Sequence, residues 1–175
     1  MKQQPVYGQH REIFDAVRGA GFWAWKPIII LNVMYMHNPD DLILYLDAST
    51  YLKENPMQVI LDNAPEVITA VQTGFPCWQW TKRDCFVNMG CDSAEYWSAD
   101  QVWAGVVIVR VCDEAKRFVA EWQKYCLDYH TIGNKPSEHE NFKGFIAHRE
   151  DQSILSNLII KHKIKTFTTQ IFQDR

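Results

Sequence analysis

The fold prediction starts from residues 42–49, which read LILYLDAS. The first part is an uninterrupted apolar run, Leu42-Ile43-Leu44-Tyr45-Leu46, as expected of a strand that is buried on both faces. The turn-forming pair Asn38-Pro39 precedes this run, and Asp47-Ala48-Ser49 follows it. Since continuous apolar strands are typical of parallel sheets covered by helices, the stretch predicts a central parallel strand with polar side chains at its carboxyl end.

Helical and strand patterns alternate on both sides of this stretch, and such alternation is typical of α/β proteins. Helices are predicted over 27–36, 55–63, 113–129 and 150–162, and strands over 42–46, 66–72, 104–109 and 164–167. Residues 81–97 read as a short helix and a loop, whereas the polar stretch 130–147 predicts a mobile surface loop. We therefore expect an α/β fold with a mainly parallel sheet flanked by helices.

Composition favours one globular domain over residues 1–175. Hydrophobic residues make up 47% of the chain, enough for a core that needs neither disulfides nor metal. The formal charge of -3 gives no basic face for a polyanion, so nucleic acid is not an expected partner.

The cysteines and the apolar runs bear on location. Five cysteines without a Cys-x-x-Cys pair indicate free thiols in a reducing compartment rather than a disulfide framework or a zinc site. The longest apolar stretch, Pro27 to Met36, is about half of the ~20 residues that a membrane span requires. Without a secretory signal pattern either, we expect a cytoplasmic protein that lacks a transmembrane segment, placed in the host cytoplasm if the chain is viral.

Asp47 and Ser49 are the first candidate site residues. Ligands of open parallel sheets bind outside the carboxyl ends of the strands, and residues two apart in extended backbone point the same way. Both oxygens therefore suit Mn²⁺ or Mg²⁺, which would be shared with a diphosphate. The alternative is that Asp47 only forms a turn or caps a helix.

Four motifs carry a family resemblance. Residues 18–27 read RGAGFWAWKP and precede YLDAS at 45–49. This order resembles the Gly-x-Trp-x-Trp-Lys-Pro signature and Asp-x-Asp-like triplet of small GT-A-fold glycosyltransferases of bacterial surface-polysaccharide loci and large algal viruses. Residues 103–106 (WAGV) and 151–157 (DQSILSN) are similar to the Asn-Ala-Gly-Val and Asp-Gln-x-x-Leu-Asn motifs of the glycogenin and galactosyltransferase group. Ser49 and Trp103 depart from these patterns.

The resemblance implies an enzyme that moves a hexose or deoxyhexose from a UDP-sugar to a hydroxyl of an oligosaccharide or glycan. It implies Mn²⁺ or Mg²⁺ at Asp47 and Ser49, and Asp151 and Gln152 as catalytic residues beside the reacting carbon. The donor-binding residues that it implies are Arg18, Trp25, Lys26, Tyr45, Ala104, Gly105 and Arg149. Family members also begin with a strand that holds uracil and ribose, which we expect to be missing here or shortened within Met1 to His10.

Several of these residues have a structural alternative. Gly105 is equally consistent with a bulge or tight packing, and Asp151 with a charge at a helix N-terminus. Lys26 and Arg149 have the alternative of solvated surface groups.

Aromatic and histidine side chains leave further choices. At most one of Trp23 and Trp25 is expected to face a ligand. Trp78 and Trp80 have either an acceptor-stacking or a packing role, and His148 is a second-choice metal ligand.

The reaction course stays open at this point. In a retaining reaction Gln152 would support the developing positive charge, and in an inverting one a carboxylate such as Asp151 or Asp100 would be the base. Three rival functions also stay open: a non-catalytic module that binds a nucleotide sugar or glycan, a nucleotidyltransferase that releases pyrophosphate, and a structural domain with a vestigial site.

Overall fold

A computed structural model describes residues 5–53 and 55–174 of the chain. The helices are α1 (Pro5–Gln9), α2 (Arg11–Phe14), α3 (Gly19–Phe22), α4 (Trp25–Met34), α5 (Met57–Asp62), α6 (Cys77–Trp80), α7 (Arg83–Asn88), α8 (Ala94–Trp97), α9 (Asp113–Cys126), α10 (Tyr129–Ile132) and α11 (Glu150–Lys161). The strands are β1 (Leu42–Leu46), β2 (Thr50–Leu52), β3 (Ile68–Pro76), β4 (Asp100–Arg110) and β5 (Phe172–Asp174). The α/β class is confirmed.

The sheet runs antiparallel, so the prediction of a mainly parallel sheet is wrong. Its strand order is β1-β4-β3, with Leu46 opposite Val106 in one ladder and Ile68 opposite Val109 in the other. A second, two-stranded sheet pairs β2 with β5, also antiparallel. Among the described residues, parallel pairing is limited to an isolated bridge between Val71 and Phe167.

The physical reason lies in the two buried faces of the sheet. Along β4, Val107 and Val109 belong to the larger hydrophobic cluster, which includes side chains of α4, α9 and α11. The alternate residues Val106 and Ile108 belong to a smaller cluster on the opposite face, completed by Phe167 and other apolar side chains. Because both faces are covered, the strands need no polar alternation, and the apolar runs cannot distinguish an antiparallel from a parallel sheet.

The main helices match their predicted positions with small shifts. Helix α4 begins at Trp25, two residues before the proline expected to open it, and buries Lys26 in its first turn. Helices α9 and α11 start at the predicted residues Asp113 and Glu150. Helix α5 starts at Met57, slightly after its predicted opening.

The shorter elements differ more from expectation. Strand β3 begins and ends later than the predicted 66–72, and β4 extends beyond the predicted 104–109 at both ends. The predicted strand over 164–167 reduces to the bridge at Phe167. Strands β2 and β5 were not predicted, because each is three residues long and is held by pairing with the other. At the N-terminus, residues 5–9 are helical, while residues 1–4 of the expected nucleotide-binding segment lie outside the described part.

The stretch 130–147 is irregular after α10, as predicted, but it is anchored. The Asp84 carboxylate accepts hydrogen bonds from the backbone N–H groups of Glu138 and His139, at 2.9 and 3.0 Å. Burial alone would raise the pKa of Asp84, but these bonds outweigh it and lower that pKa. The contacts therefore argue against the predicted mobility.

All five cysteines have free thiols, and all but Cys112 are buried. No helix within residues 5–53 and 55–174 combines the length and apolarity needed to cross a bilayer.

Candidate functional site

A cleft of about 230 Å³ lies where β1 ends beside the first half of β4. The Asp47 backbone N–H donates to the Gly105 carbonyl at 2.9 Å, so the antiparallel pairing of these two strands brings their motifs together. The cleft is lined by Arg18, Trp23, Lys26, Asp47, Ser49, Trp103, Ala104, Gly105, Arg149, Glu150, Asp151 and Gln152. Of the site residues that the family resemblance implied, all except Trp25 and Tyr45 therefore line this one cleft.

Lys26 lies at the centre of the charged groups. Only 4% of its side chain is exposed, and its Nζ lies 3.0 Å from Asp47 Oδ2 and 3.2 Å from Asp151 Oδ2. The same Nζ also donates to the Ala104 carbonyl at 3.4 Å. Lys26 is thus a fixed buried cation between two carboxylates, which rules out the alternative of a solvated surface lysine.

Asp151 is a buried carboxylate in the first turn of α11. Its Oδ2 has the Lys26 ammonium as an ion-pair partner at 3.2 Å and has no further polar partner within the described residues. Burial raises the pKa of Asp151 from 3.8 to about 7, although Lys26 lowers it in part. A carboxyl group in this state exchanges a proton near neutral pH.

Tyr45 acts behind Asp47 instead of lining the cleft. Its hydroxyl donates to Asp47 Oδ1 at 2.6 Å, and its ring centroid lies 5.7 Å from Lys26 Nζ. Burial, followed by the contact with Asp47, raises the pKa of Tyr45, so its hydroxyl stays protonated and keeps donating. Tyr45 therefore orients the Asp47 carboxylate, of which 23% is exposed.

The donor set fits a cation only when the ligand contributes oxygens. Both Asp47 oxygens already have partners, and Ser49 is an exposed hydroxyl. Across the described part of the chain, no three His, Cys, Asp or Glu side chains are grouped so that they would hold a metal ion. Asp47 and Ser49 thus suit a metal shared with a diphosphate, not a metal held by protein alone.

His148 does not join this donor set. It is buried outside the cleft, where its Nδ1 accepts from the Lys82 backbone N–H at 3.3 Å and its Nε2 lies 3.1 Å from the Thr131 carbonyl. Since a carbonyl only accepts, Nε2 carries the proton and neither nitrogen is left for a metal. Burial, together with other causes, lowers the pKa of His148 to about 3, so the ring is neutral.

A left-handed turn brings the first motif to the cleft. Residues 19–23 all have positive φ, including Ala20, Phe22 and Trp23. Two separate features of this turn require glycine at position 19. Its φ is 57°, and a Cβ there would lie 2.3 Å from the Trp23 ring. As a result Trp23 lines the cleft, whereas Trp25 donates its indole N–H to the Gly19 carbonyl at 3.0 Å and packs against the core.

Arg18 and Glu150 form an ion pair at one wall of the cleft, through two nitrogen–oxygen contacts. Glu150 is buried and has a φ of 41°, a strained backbone for a residue other than glycine. Burial raises the pKa of Glu150 and Arg18 opposes that rise. Sequence reasoning missed Glu150, although its place directly before the Asp-Gln motif was a usable signal.

The contact between Trp103 and Gly105 shows why a glycine occupies position 105. A Cβ on Gly105 would lie 2.5 Å from Trp103 Nε1 and 3.2 Å from Asp47 Oδ2. The glycine therefore allows the indole from the same strand face to pack across it, which is the tight-packing alternative. Trp103 is an aromatic wall residue that we did not predict, and its departure from the family's Asn was the signal, whereas Trp23 was one of two tryptophans left open as the ligand-facing one.

Gln152 is bound to β4 at both ends of its carboxamide. Its Oε1 accepts from the Ala104 backbone N–H at 3.3 Å, and its Nε2 donates to Gln101 Oε1 at 2.9 Å. Gln152 therefore fixes the backbone that carries Ala104 and Gly105. Asp100, the other carboxylate considered as a base, is exposed at the start of β4 and does not line the cleft.

The tryptophans of α6 have packing roles. Trp78 lies against Gly144, where a Cβ would be 3.0 Å from its ring. The Arg149 guanidinium lies 4.4 Å from the centroid of the Trp80 ring, and this contact positions Arg149 at the cleft.

No family model matches this chain, and no curated protein matches it. Among solved structures, the apo form of mouse xyloside xylosyltransferase 1 is similar, with 16% sequence identity and a TM-score of 0.45. The similarity covers 94% of this chain and 60% of that one. At this level it does not establish a shared function.

Proposed function

We propose that this chain acts as a GT-A-like glycosyltransferase that transfers a hexose or deoxyhexose from a UDP-sugar to a glycan hydroxyl. One observation carries the proposal: residues from four motifs far apart in sequence, at 18–27, 45–49, 103–106 and 151–157, line one cleft. We place the reaction in the cytoplasm, in keeping with the five free thiols.

The charges of the cleft suit a leaving diphosphate. Negative charge develops on the leaving group as the sugar–phosphate bond breaks, and cations fixed in advance stabilise it. Lys26 is such a cation, and Arg149 is a second one at the same cleft. Mn²⁺ or Mg²⁺ held by Asp47, Ser49 and the diphosphate would add further positive charge at this position.

Asp151 is our choice for the base if the reaction inverts the anomeric centre. It lines the cleft, and its pKa of about 7 lets it accept the proton of an acceptor hydroxyl near neutral pH. If the reaction retains the configuration, the donor phosphate takes that proton and Gln152 fixes the Ala104 backbone at the cleft. The anomer of the product, determined by NMR, distinguishes the two courses.

A second candidate function is a module that binds a nucleotide sugar without turning it over. The pairing of both Asp47 oxygens with Lys26 and Tyr45 favours it, because a metal has to compete with these partners. Under this alternative, UDP would raise the melting temperature without any release of product.

The deciding experiment combines a panel of UDP-sugars and glycan acceptors with saturating Mn²⁺, and measures both transfer and UDP release. Asp47→Asn should lower kcat/KM by about 100-fold or more, as expected when a group that stabilises the transition state is removed. Asp113→Asn is the control, because that carboxylate is exposed on α9 outside the cleft. Neither transfer nor UDP release from the wild-type chain would refute the enzyme proposal, and pyrophosphate release would favour a nucleotidyltransferase.

The metal requirement needs its own test. Because the protein donors alone are few, Mn²⁺ should change the melting temperature of the wild type only when UDP is present, and the Asp47→Ala variant should lose that change. Activity that survives complete chelation would refute the metal requirement and leave Lys26 as the cation beside the leaving group.

A further inference from the structure

A second cavity, of about 380 Å³, adjoins the cleft and shares Arg18 and Glu150 with it. Its other walls come from the residue before α7 and from the irregular segment after α10, including Lys82, Asn134, Lys135 and Ser137. Apart from Arg18, none of the residues assigned to the donor lines this cavity. Its volume lies in the range of small-molecule sites.

Lys82 is the unusual group in this cavity. It is buried, with 4% exposed, and its Nζ donates to the Gly133 carbonyl at 2.8 Å. An ammonium has three donors, but within residues 5–53 and 55–174 no carboxylate lies within ion-pair distance of this one. Lys26, also buried, has two carboxylates at that distance, so the two buried lysines differ in this respect.

A buried charge without a counter-charge is unfavourable, and an anionic ligand would compensate it. Lys135 adds a second cation, exposed at the rim and 4.7 Å from the Tyr129 ring centroid. Glu150 is the one carboxylate among the residues that line the cavity, and Arg18 neutralises it. The cavity therefore presents net positive charge.

We propose that this cavity binds the acceptor glycan through an anionic group, the carboxylate of a uronic acid or the phosphate of a sugar phosphate, which pairs with the Lys82 ammonium. The shared wall at Arg18 and Glu150 then places a neighbouring hydroxyl of the same sugar next to the donor cleft. The acceptor role of this cavity rests on the proposed function, whereas the anion site does not.

Binding without any UDP-sugar tests the site directly. The probes are methyl β-glucuronide, glucose 6-phosphate and the neutral methyl β-glucoside, titrated by isothermal calorimetry. The wild type should bind at least one of the anionic sugars at least about tenfold more tightly than the glucoside, as expected for a charge-assisted hydrogen bond to a buried group. The tighter of the two identifies the carboxylate or the phosphate as the natural group.

Variants assign the effect to the lysine. Lys82→Met should abolish the preference for the anionic sugar, while Lys165→Met, at an exposed lysine outside the cavity, should leave it unchanged. Should Lys82→Met fail to fold, Lys135→Met at the exposed rim tests the same site. It should weaken the affinity for the anionic sugar roughly two- to threefold, and this effect should shrink as the salt concentration rises. Anionic sugars that bind no better than the glucoside, or a folded Lys82→Met variant that keeps the preference, would overturn the inference.

The two proposals fail separately. Anion binding as expected, with no transfer from any UDP-sugar, keeps the anion site and refutes the glycosyltransferase. Transfer from a UDP-sugar, together with anionic sugars that bind no better than the neutral glucoside, keeps the enzyme and overturns the anion site.

Discussion

Replacing Asp151 by asparagine should stabilise the protein at alkaline pH, and this substitution tests the central electrostatic feature of the cleft. Asn has the shape of a protonated Asp, so the variant mimics the uncharged form of this buried group. The Lys26 ammonium keeps its second partner, Asp47, at 3.0 Å. The variant therefore removes the buried negative charge without leaving the lysine unpaired.

The magnitude follows from linkage between folding and protonation. Burial raises the pKa of Asp151 from 3.8 to about 7, so between these values the folded chain holds a proton that the unfolded chain has released. This group therefore favours folding below about pH 4, and the favourable contribution is lost as pH rises to about 7. Three pH units at about 1.4 kcal/mol each give a loss of ~4 kcal/mol in the free energy of unfolding. The Asp151→Asn variant does not undergo this loss, because asparagine does not ionise.

Urea unfolding at pH 5 and pH 8 measures the effect. The variant should exceed the wild type by up to ~4 kcal/mol at pH 8 and by clearly less at pH 5. Asp100→Asn is the matched control, because this carboxylate is exposed on β4, and its effect should be small at both values. A variant that is less stable than the wild type at pH 8, or a difference that does not change with pH, would refute the reasoning.

Three further outcomes are expected from the same measurement or from proteolysis. Gly19→Ala should lower the free energy of unfolding by at least ~1 kcal/mol more than Gly74→Ala, because both have positive φ but only at Gly19 does a Cβ meet an indole ring, at 2.3 Å. Gly105→Ala should lower the free energy of unfolding by ~1–3 kcal/mol, and adding Trp103→Ala should recover part of that loss. Strictly additive losses in the double variant would contradict the packing of Trp103 across Gly105. Asp84→Asn should speed proteolytic cleavage after α10, since its carboxylate accepts two backbone N–H groups there; unchanged cleavage would show that other contacts hold this segment.

The strand that opens the site was predictable, whereas the direction of its neighbours was not. Residues 42–46 form β1 because a short apolar run has few alternatives, and chain continuity then puts Asp47 at the strand's end. The direction of β4 relative to β1 left no trace in the sequence, since side chains on both faces of the sheet are buried. The prediction of a cleft at Asp47 remained useful because Gly105 pairs with Asp47 directly after β1 ends.

The strained backbone of residues 19–23 was a second feature that could not be predicted from the sequence. The glycines of residues 18–27 indicated a tight turn, but positive φ at Ala20, Phe22 and Trp23 contradicts the preference of these residue types. No propensity argument predicts such a turn, because tertiary contacts hold it. This turn decides that Trp23, and not Trp25, lines the cleft, a choice that alternation along the backbone left open.

Several unfavourable features of this protein lie in or beside the cleft, and that placement argues against a purely structural domain. Residues 19–23 hold a left-handed turn, in which each residue other than glycine costs ~1 kcal/mol or more. Glu150 has positive φ while buried, and Asp151 is a buried carboxylate whose ionisation opposes folding. These features adjoin Lys26, Asp47 and one another, while the core behind them packs apolar side chains. A chain selected only for stability would replace such groups, so their convergence favours a site that needs charge and fixed geometry.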